Sequence, residues 1–421
     1  MSAGMARVVL LTLIAAGTVL RLLVVPLRGF PDDPIVFGGW AERLAQVGPS
    51  RFYEPGYFAD YPPAFLYVLW LLGALFDGET LRLAIKAVSI PADIAIALLV
   101  AGVVWPIAGR GPAVAAAGIW SLQPAAILAG PYWGQVDAVG SFLLFASFGA
   151  AGSRRWAIAG ALGALALLVK PQFGIGLFVI GVGAVIELVR IRRWAPGLQV
   201  IAAATATTYV LSVPFWGFDP VGIATGLVGL VRTAAETYPY TSLYAFNGWM
   251  ILFQFRQPDE ALVVWGATLL TIGLLGSTVP LWWRRDTAAF LACGALAAIA
   301  FYFLPTRAHE RYLFPLFALA LPFAATRARV VIPYAVLSIC FAITIVYALS
   351  RMVTELRIPA LVETTLFTRR GEIAIALLMI SAAVYLAFLF VSGEARLDRS
   401  RAWLASRPGW LRSRSRRAAT R

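Results

Sequence analysis

The stretch PPAFLYVLWLLGALF, residues 62–76, is apolar throughout, and its reading fixes the side of every loop after it. A bilayer core about 30 Å thick asks for about 20 residues of helix, so this segment is too short to cross comfortably. Twelve other apolar runs mark candidate spans, at approximately 8–27, 83–107, 112–129, 138–152, 156–170, 173–190, 197–216, 260–283, 287–304, 312–326, 330–349 and 372–391. Let 62–76 lie in the interface, with the N-terminus inside. Then Arg110, SRR (153–155), RIRR (190–193), WWRR (282–285), RAR (327–329) and the C-terminal tail all become cytoplasmic. Counting 62–76 as a span sends all of them outside. The positive-inside rule selects the first arrangement. The expectation is an all-α polytopic membrane protein of about twelve transmembrane helices, with interfacial helices in the first outer loop.

Composition agrees with that class. Hydrophobic residues make up 60% of the 421 and charged residues 13%, about half the charged share of a soluble domain. The run MARVVLLTLIAAGTVLRLLVVPL (5–27) is too long for a signal-peptide core and lacks a small-x-small cleavage site, so it reads as a retained first span. Cys293 and Cys340 each fall inside an apolar run, which disfavours a disulfide framework or a thiolate metal site. The net charge of +14 is carried largely by short loops and by RSRAWLASRPGWLRSRSRRAATR (399–421). Arginines alternating with Trp403 and Trp410 there suit an anchor on anionic lipid, not nucleic acid. Residues 1–391 form one transmembrane domain, with outer loops at 28–82 and 217–259, and 392–421 a basic cytoplasmic tail.

This topology gathers the polar segments on the extracytoplasmic side: 28–82, GPYWGQVDAVG (130–140), VKPQFG (169–174), 217–259 and PTRAHER (305–311). In the first loop, PIVFGGWAERLAQVG (34–48) reads as an amphipathic helix with Phe37, Trp40 and Leu44 on one side. Asp33 either caps that helix, with Pro34 at its first position, or is a carboxylate held at the membrane lip as a general base. Asp32 stands beside it, and Asp60 lies further along the same loop. Gln135 and Asp137 sit at the outer mouth of the fourth span. Asp137 near hydrocarbon costs about 2.5–3.5 kcal/mol if deep, so it faces a cavity or caps a helix. Lys170 ends an apolar run before Pro171, either free to snorkel or held near the helix carbonyls. Arg307 and Arg311, four apart on a helix, would share a face, with Glu310 pairing Arg307 and leaving Arg311 and the lone histidine, His309, for an anion. Two cations and an imidazole suit a phosphate; the alternative is an interfacial anchor with a structural ion pair. A single histidine disfavours a His-based zinc site. The oxygen set Asp32, Asp33 and Asp60 leaves a divalent metal open, with no cofactor required. There is no P-loop and no G-x-G-x-x-G after a strand to hold a nucleotide.

In order, the acidic first loop, DYPP (60–63), WGQVDA (133–138), KPQ (170–172) and HERYLFP (309–315) resemble the GT-C superfamily of integral-membrane glycosyltransferases. The chain looks most like bacterial mannosyltransferase-like members, and more distantly like eukaryotic dolichyl-phosphate-glucose-dependent enzymes. The resemblance covers nearly the whole chain. It implies inverting transfer of a hexose, mannose before glucose, from a polyprenyl-phosphate carrier to a hydroxyl on a glycan, lipid or protein. It implies a site on the outer face of a bacterial plasma membrane. It places the catalytic base at Asp33, with Asp32 as the other candidate, and the family's late histidine at His309. His309, Arg311, Lys170 and Arg307 would bind the donor phosphate. Asp60, Tyr61, Trp133, Gln135, Asp137, Gln172 and Glu310 would bind substrate, with Trp133 and Tyr132 offering sugar-stacking faces. The rival class is a transporter or flippase of a lipid-linked or anionic solute, which would carry polar groups near the midplane of two related halves.

Overall fold

The computed structural model describes residues 1–353, 356–395 and 397; the basic tail expected at 392–421 lies largely outside them. The chain opens with α1 (Ala3–Val24), α2 (Asp32–Val47), α3 (Pro63–Leu75), α4 (Gly78–Ala87) and α5 (Ser89–Ala108). Next come α6 (Arg110–Ser121), α7 (Pro124–Ile127), α8 (Asp137–Gly152), α9 (Trp156–Val169) and α10 (Ile175–Ile191). Then follow α11 (Ala195–Trp216), α12 (Pro220–Glu236), β1 (Ser242–Leu243), α13 (Gly248–Phe253), α14 (Val263–Ser277) and α15 (Pro280–Trp283). The last elements are α16 (Thr287–Phe303), β2 (Ala308–His309), α17 (Phe314–Ala324), α18 (Ala328–Met352), α19 (Ala360–Thr365) and α20 (Arg369–Val391).

Each of the twelve apolar runs coincides with a helix. Among the described residues seven helices are long and apolar enough to cross a membrane, and the bent pair α6 and Pro124–Tyr132 makes eight. The chain is thus a multi-pass membrane protein. The remaining four, α8, α9, α16 and α17, are shorter apolar helices of the same class as α3, so the figure of twelve crossings rests on them. The run at 112–129 is a broken helix. It bends by 41° at Gln123, which is extended ahead of Pro124; a residue before proline is pushed out of the helical region, and proline offers no N–H. Helix α3, with 13 residues, is about 20 Å long. Its buried face, Phe65, Leu66 and Leu69, meets the stripe Phe37, Trp40, Ala41 and Leu44 of α2. The apolar spacing of three and four residues on α2 makes that stripe.

The bundle has two chemically different ends. Glu187 of α10 pairs with both Arg154 and Arg285, which gathers the loops before α9, after α10 and before α16. At the far ends of α9 and α16 stand Lys170 and the segment 305–311, where the polar side chains collect. A second ionic contact lies inside the helices: Arg21 of α1 donates to Asp93 of α5 at 2.9 Å and to the Ser121 carbonyl of α6 at 2.5 Å. Both side chains are buried, and the pair ties three helices together.

Candidate active site

Helix α2 begins at Asp32, with Pro31 as its N-cap and no side-chain capping bond. Asp33 therefore does not cap it. Its carboxylate reaches out of the helix to the turn before α8. The Trp133 indole N–H donates to Asp33 Oδ2 at 2.7 Å, and the Gln135 amide donates to the same oxygen. The turn can make this approach because Gly134 has φ +100°, and a Cβ there would come within 2.9 Å of Pro34 Cγ. Asp33 is half-buried while Asp32 is exposed, which separates the two members of the doublet.

From Asp33 the contacts close into a ring. Gln135 Oε1 accepts from Lys170 Nζ at 2.8 Å and from the Tyr61 hydroxyl at 3.4 Å. Lys170 Nζ also donates to Asp137 Oδ1 at 3.3 Å, as does the Gln172 amide at 3.2 Å. Arg311 Nε lies 3.7 Å from Asp137 Oδ2, and the guanidinium sits over the Trp133 ring, 5.3 Å from its centroid. Trp133 returns to Asp33. Four separate segments thus hold one another, and each supplies a partner the next would lack in an apolar bundle. Gly140, one turn into α8, lets Phe173 of the KPQF turn lie against the helix; a Cβ there would stand 2.0 Å from its ring.

The segment 305–311 is not the helix its spacing suggested. It forms a bend, then β2, then a turn. Ser242 and Leu243 of β1 pair in parallel with Ala308 and His309 of β2, which docks the segment 217–259 onto the histidine. Arg307, at φ +64°, points away from the cluster. Its guanidinium donates to both carboxylate oxygens of Asp259 at 2.8 and 3.0 Å and to the Ala235 carbonyl at 2.8 Å. Thr306 adds a 2.7 Å bond to Asp259. Burial works against the Asp259 charge, yet these bonds hold its carboxyl below the usual range. Arg307 is thus bound into a clamp outside the ring, and Glu310 pairs with Arg311 at 2.5 Å rather than with Arg307.

The electrostatics set His309 apart from the two cations read beside it in the sequence. Burial, and then the charges of Arg311 and Lys170, hold His309 well below the usual imidazole range, so it is a neutral hydrogen-bonding group at physiological pH. Burial raises Glu310, with Arg311 opposing. Burial also raises Asp60, with Lys170 pulling it down and Asp33 adding to the rise. Arg311 stays charged, as a guanidinium does.

The aromatic side chains are largely enclosed. Trp133 is 1% exposed and Tyr61 7%, and their rings face the Arg311 and Lys170 cations. Tyr132 is half-buried with Lys86 over its ring. Gln135, Asp137, Lys170 and Glu310 are buried. Asp33, Asp60, Gln172 and Arg311 are half-buried. Among the described residues no three His, Cys, Asp or Glu side chains gather as a metal set, so Asp32, Asp33 and Asp60 do not assemble as one. Two residues escaped sequence reasoning. Asp259 had only the scarcity of acids to mark it. Tyr238, just after α12, carried no signal; it is 39% exposed, its ring meets His309 edge-on at 5.0 Å, and Arg311, Asp33, Asp60 and Glu310 all act on its hydroxyl.

No protein-family model matches the chain, and no curated protein does. Among solved structures it is similar to the apo oligosaccharyltransferase of Archaeoglobus fulgidus, at 14% identity and TM-score 0.47, over 94% of this chain and 57% of that one. It is similar also to the oligosaccharyltransferase AglB of the same organism in complex with an inhibitory peptide and a dolichol-phosphate, at 12% identity and TM-score 0.47, over the same shares. The chain spans less than two thirds of the length of these structures.

Proposed function

We propose that the chain is an inverting GT-C-type glycosyltransferase. It moves a hexose, mannose or glucose, from a polyprenyl-phosphate carrier to a hydroxyl acceptor at the outer face of a bacterial plasma membrane. The observation that supports this reading is the ring itself. It sets one carboxylate, Asp33, at the N–H edge of a buried indole and one guanidinium, Arg311, over the ring of the same indole, at the end of the bundle away from Glu187 and its two arginine partners. Basic loops favour the cytoplasm, which supports an outer position for this end.

Each side chain then has a part. Both Asp33 bonds fall on Oδ2, and Oδ1 takes the acceptor proton as the acceptor oxygen attacks C1 of the sugar. The C1–O bond to phosphate breaks from the opposite face, and polyprenyl phosphate leaves with the bonding pair. Attack opposite the leaving group inverts the anomeric centre. Arg311 neutralises the charge gained by the phosphate, and neutral His309 donates an N–H to it. Each such donor contributes about 2–4 kcal/mol in comparable oxyanion sites. Asp60, Gln172 and Tyr238 contact sugar or acceptor hydroxyls. Lys170, Gln135 and Asp137 hold Asp33 and Arg311 in register. The reading is tested in proteoliposomes with polyprenyl-phosphate-mannose and -glucose and a panel of hydroxyl acceptors. It expects a product of inverted anomeric configuration by NMR. A retained configuration, or sugar appearing on the far side of the vesicle still attached to its carrier, contradicts it; the latter is the flippase outcome.

A further inference from the structure

Lys86, near the end of α4, is 1% exposed and belongs neither to the ring nor to the buried ion pair of α1 and α5. The one acid of its helix, Glu79, is taken by Arg82. Among the described residues its ammonium makes one hydrogen bond, to the Leu27 carbonyl just past α1 at 2.5 Å, and it lies 5.9 Å from the centroid of the Tyr132 ring. An enclosed ammonium with a single neutral acceptor is a costly way to fill space; an apolar side chain of the same length would pack there at lower cost. What the ammonium holds is the pair of segments that set Asp33. Gly29, at φ +59°, lies against the Tyr132 carbonyl, where a Cβ would come within 1.9 Å. Phe30 packs on Trp133 with centroids 5.3 Å apart, and Pro34 covers Gly134. At the same contact Trp133 and Gln135 donate to Asp33. Lys86 touches both segments from a third element. Its Nζ lies 3.4 Å from where a Cβ on Gly29 would stand, and its Cγ 3.5 Å from that position on Gly134.

We infer that Lys86 is a positioning residue for the candidate base. By holding the Leu27 carbonyl beside the turn Tyr132–Gly134, it keeps Asp33 Oδ2 on its two donors and leaves Oδ1 for the acceptor. A base must sit within a fraction of an ångström of its productive place, so a clamp remote from the reacting atoms acts on rate. The part played in turnover rests on the transferase reading; the clamp between the two segments does not.

The experiment is made on the full chain in lipid nanodiscs with Lys86→Met, which keeps the length and loses the bond to Leu27. Hydrogen exchange read by mass spectrometry should rise about tenfold in peptides from both 27–34 and 130–135, with α9 unchanged. Turnover of polyprenyl-phosphate-hexose should fall about tenfold in kcat, with KM within about twofold of the wild type. In an Asp33→Asn background the same change should cost less than about threefold more, because both act through one group. Lys86→Gln, shorter and neutral, is read in the same way should Lys86→Met not fold. Faster exchange at 27–34 alone would make Lys86 a cap of α1 and overturn the inference. An equal loss of kcat with Asp33 present or replaced would overturn it too. A wild type that transfers no hexose defeats the transferase reading, and the exchange pattern then decides on the clamp by itself.

Discussion

His309 is the only histidine of the chain, and its surroundings decide what it can do. Its ring lies between Tyr238 at 5.0 Å and Tyr312 at 4.8 Å, and burial, then the nearby cations, oppose its protonation. The consequence for stability has a definite sign. With the folded pKa depressed, the contribution is present above the unfolded value of about 6.5 and is lost as pH falls towards the folded value, by at most about 1.4 kcal/mol per pH unit. Thermal denaturation in detergent should therefore show the wild type losing more stability than His309→Gln between pH 7 and pH 5.5. Parallel losses in the two proteins would show that His309 is protonated in the folded state. Arg311→Lys, which removes the fork over Trp133 and the bond to Glu310, should lower kcat by about a hundredfold without lowering the melting midpoint by more than a few degrees. An unchanged kcat would place the phosphate elsewhere. At this scale the sequence was informative where acids and bases are scarce. Asp33, Asp137, Lys170 and Arg311 could be picked out because so few charges interrupt the apolar runs. The charge state of His309 was not legible, since it depends on burial by residues from distant segments.

At the scale of elements, Asp259 adds an ionic fastening to the segment 217–259, whose Phe246 and Met250 are buried in the core. Asp259 is fully buried and joins Arg307 and Thr306 next to β2, while α12 exposes Val221 and Val228. Asp259→Ala should release the loop and leave Arg307, 23% exposed, without its partner, at a cost of about 1–3 kcal/mol. Limited proteolysis should then cut within 217–259 at a rate unlike that of the wild type; equal rates would mean the loop is held by something else. The variant should also raise KM more than it lowers kcat, because it displaces Tyr238 and β1 rather than Asp33. The helices themselves were readable from apolar run length, and all twelve runs contain one. The exceptions have local causes: Pro124 bends one run, and the β1–β2 pairing overrides the helical spacing of 305–311. A two-residue parallel pairing between segments so far apart leaves no periodic signature in sequence.

For the molecule as a whole, the account depends on sidedness and on one carboxylate. Residues that pair with Glu187 mark one end, and the ring around Trp133 marks the other. Single cysteines at Asp32 and at Arg192, in a background whose Cys293 and Cys340 are buried, should react with a membrane-impermeant maleimide from opposite sides of intact cells. Asp32→Cys should label from outside, and Arg192→Cys only after permeabilisation; the reverse pattern would turn the protein over and make the donor cytoplasmic. The fold class was legible at this scale because apolar composition alone requires it, and the shared side of the polar segments followed from charge bias. Which polar residues meet depended on tertiary packing, such as Phe173 seating on Gly140. The most direct test of the account is a turnover measurement with polyprenyl-phosphate-hexose on two neighbouring variants. Asp33→Asn should lower kcat by about 10²–10⁴-fold, while Asp32→Asn, altering an exposed neighbour, should stay within twofold of the wild type. Full turnover in Asp33→Asn would contradict the assignment of Asp33 as the base.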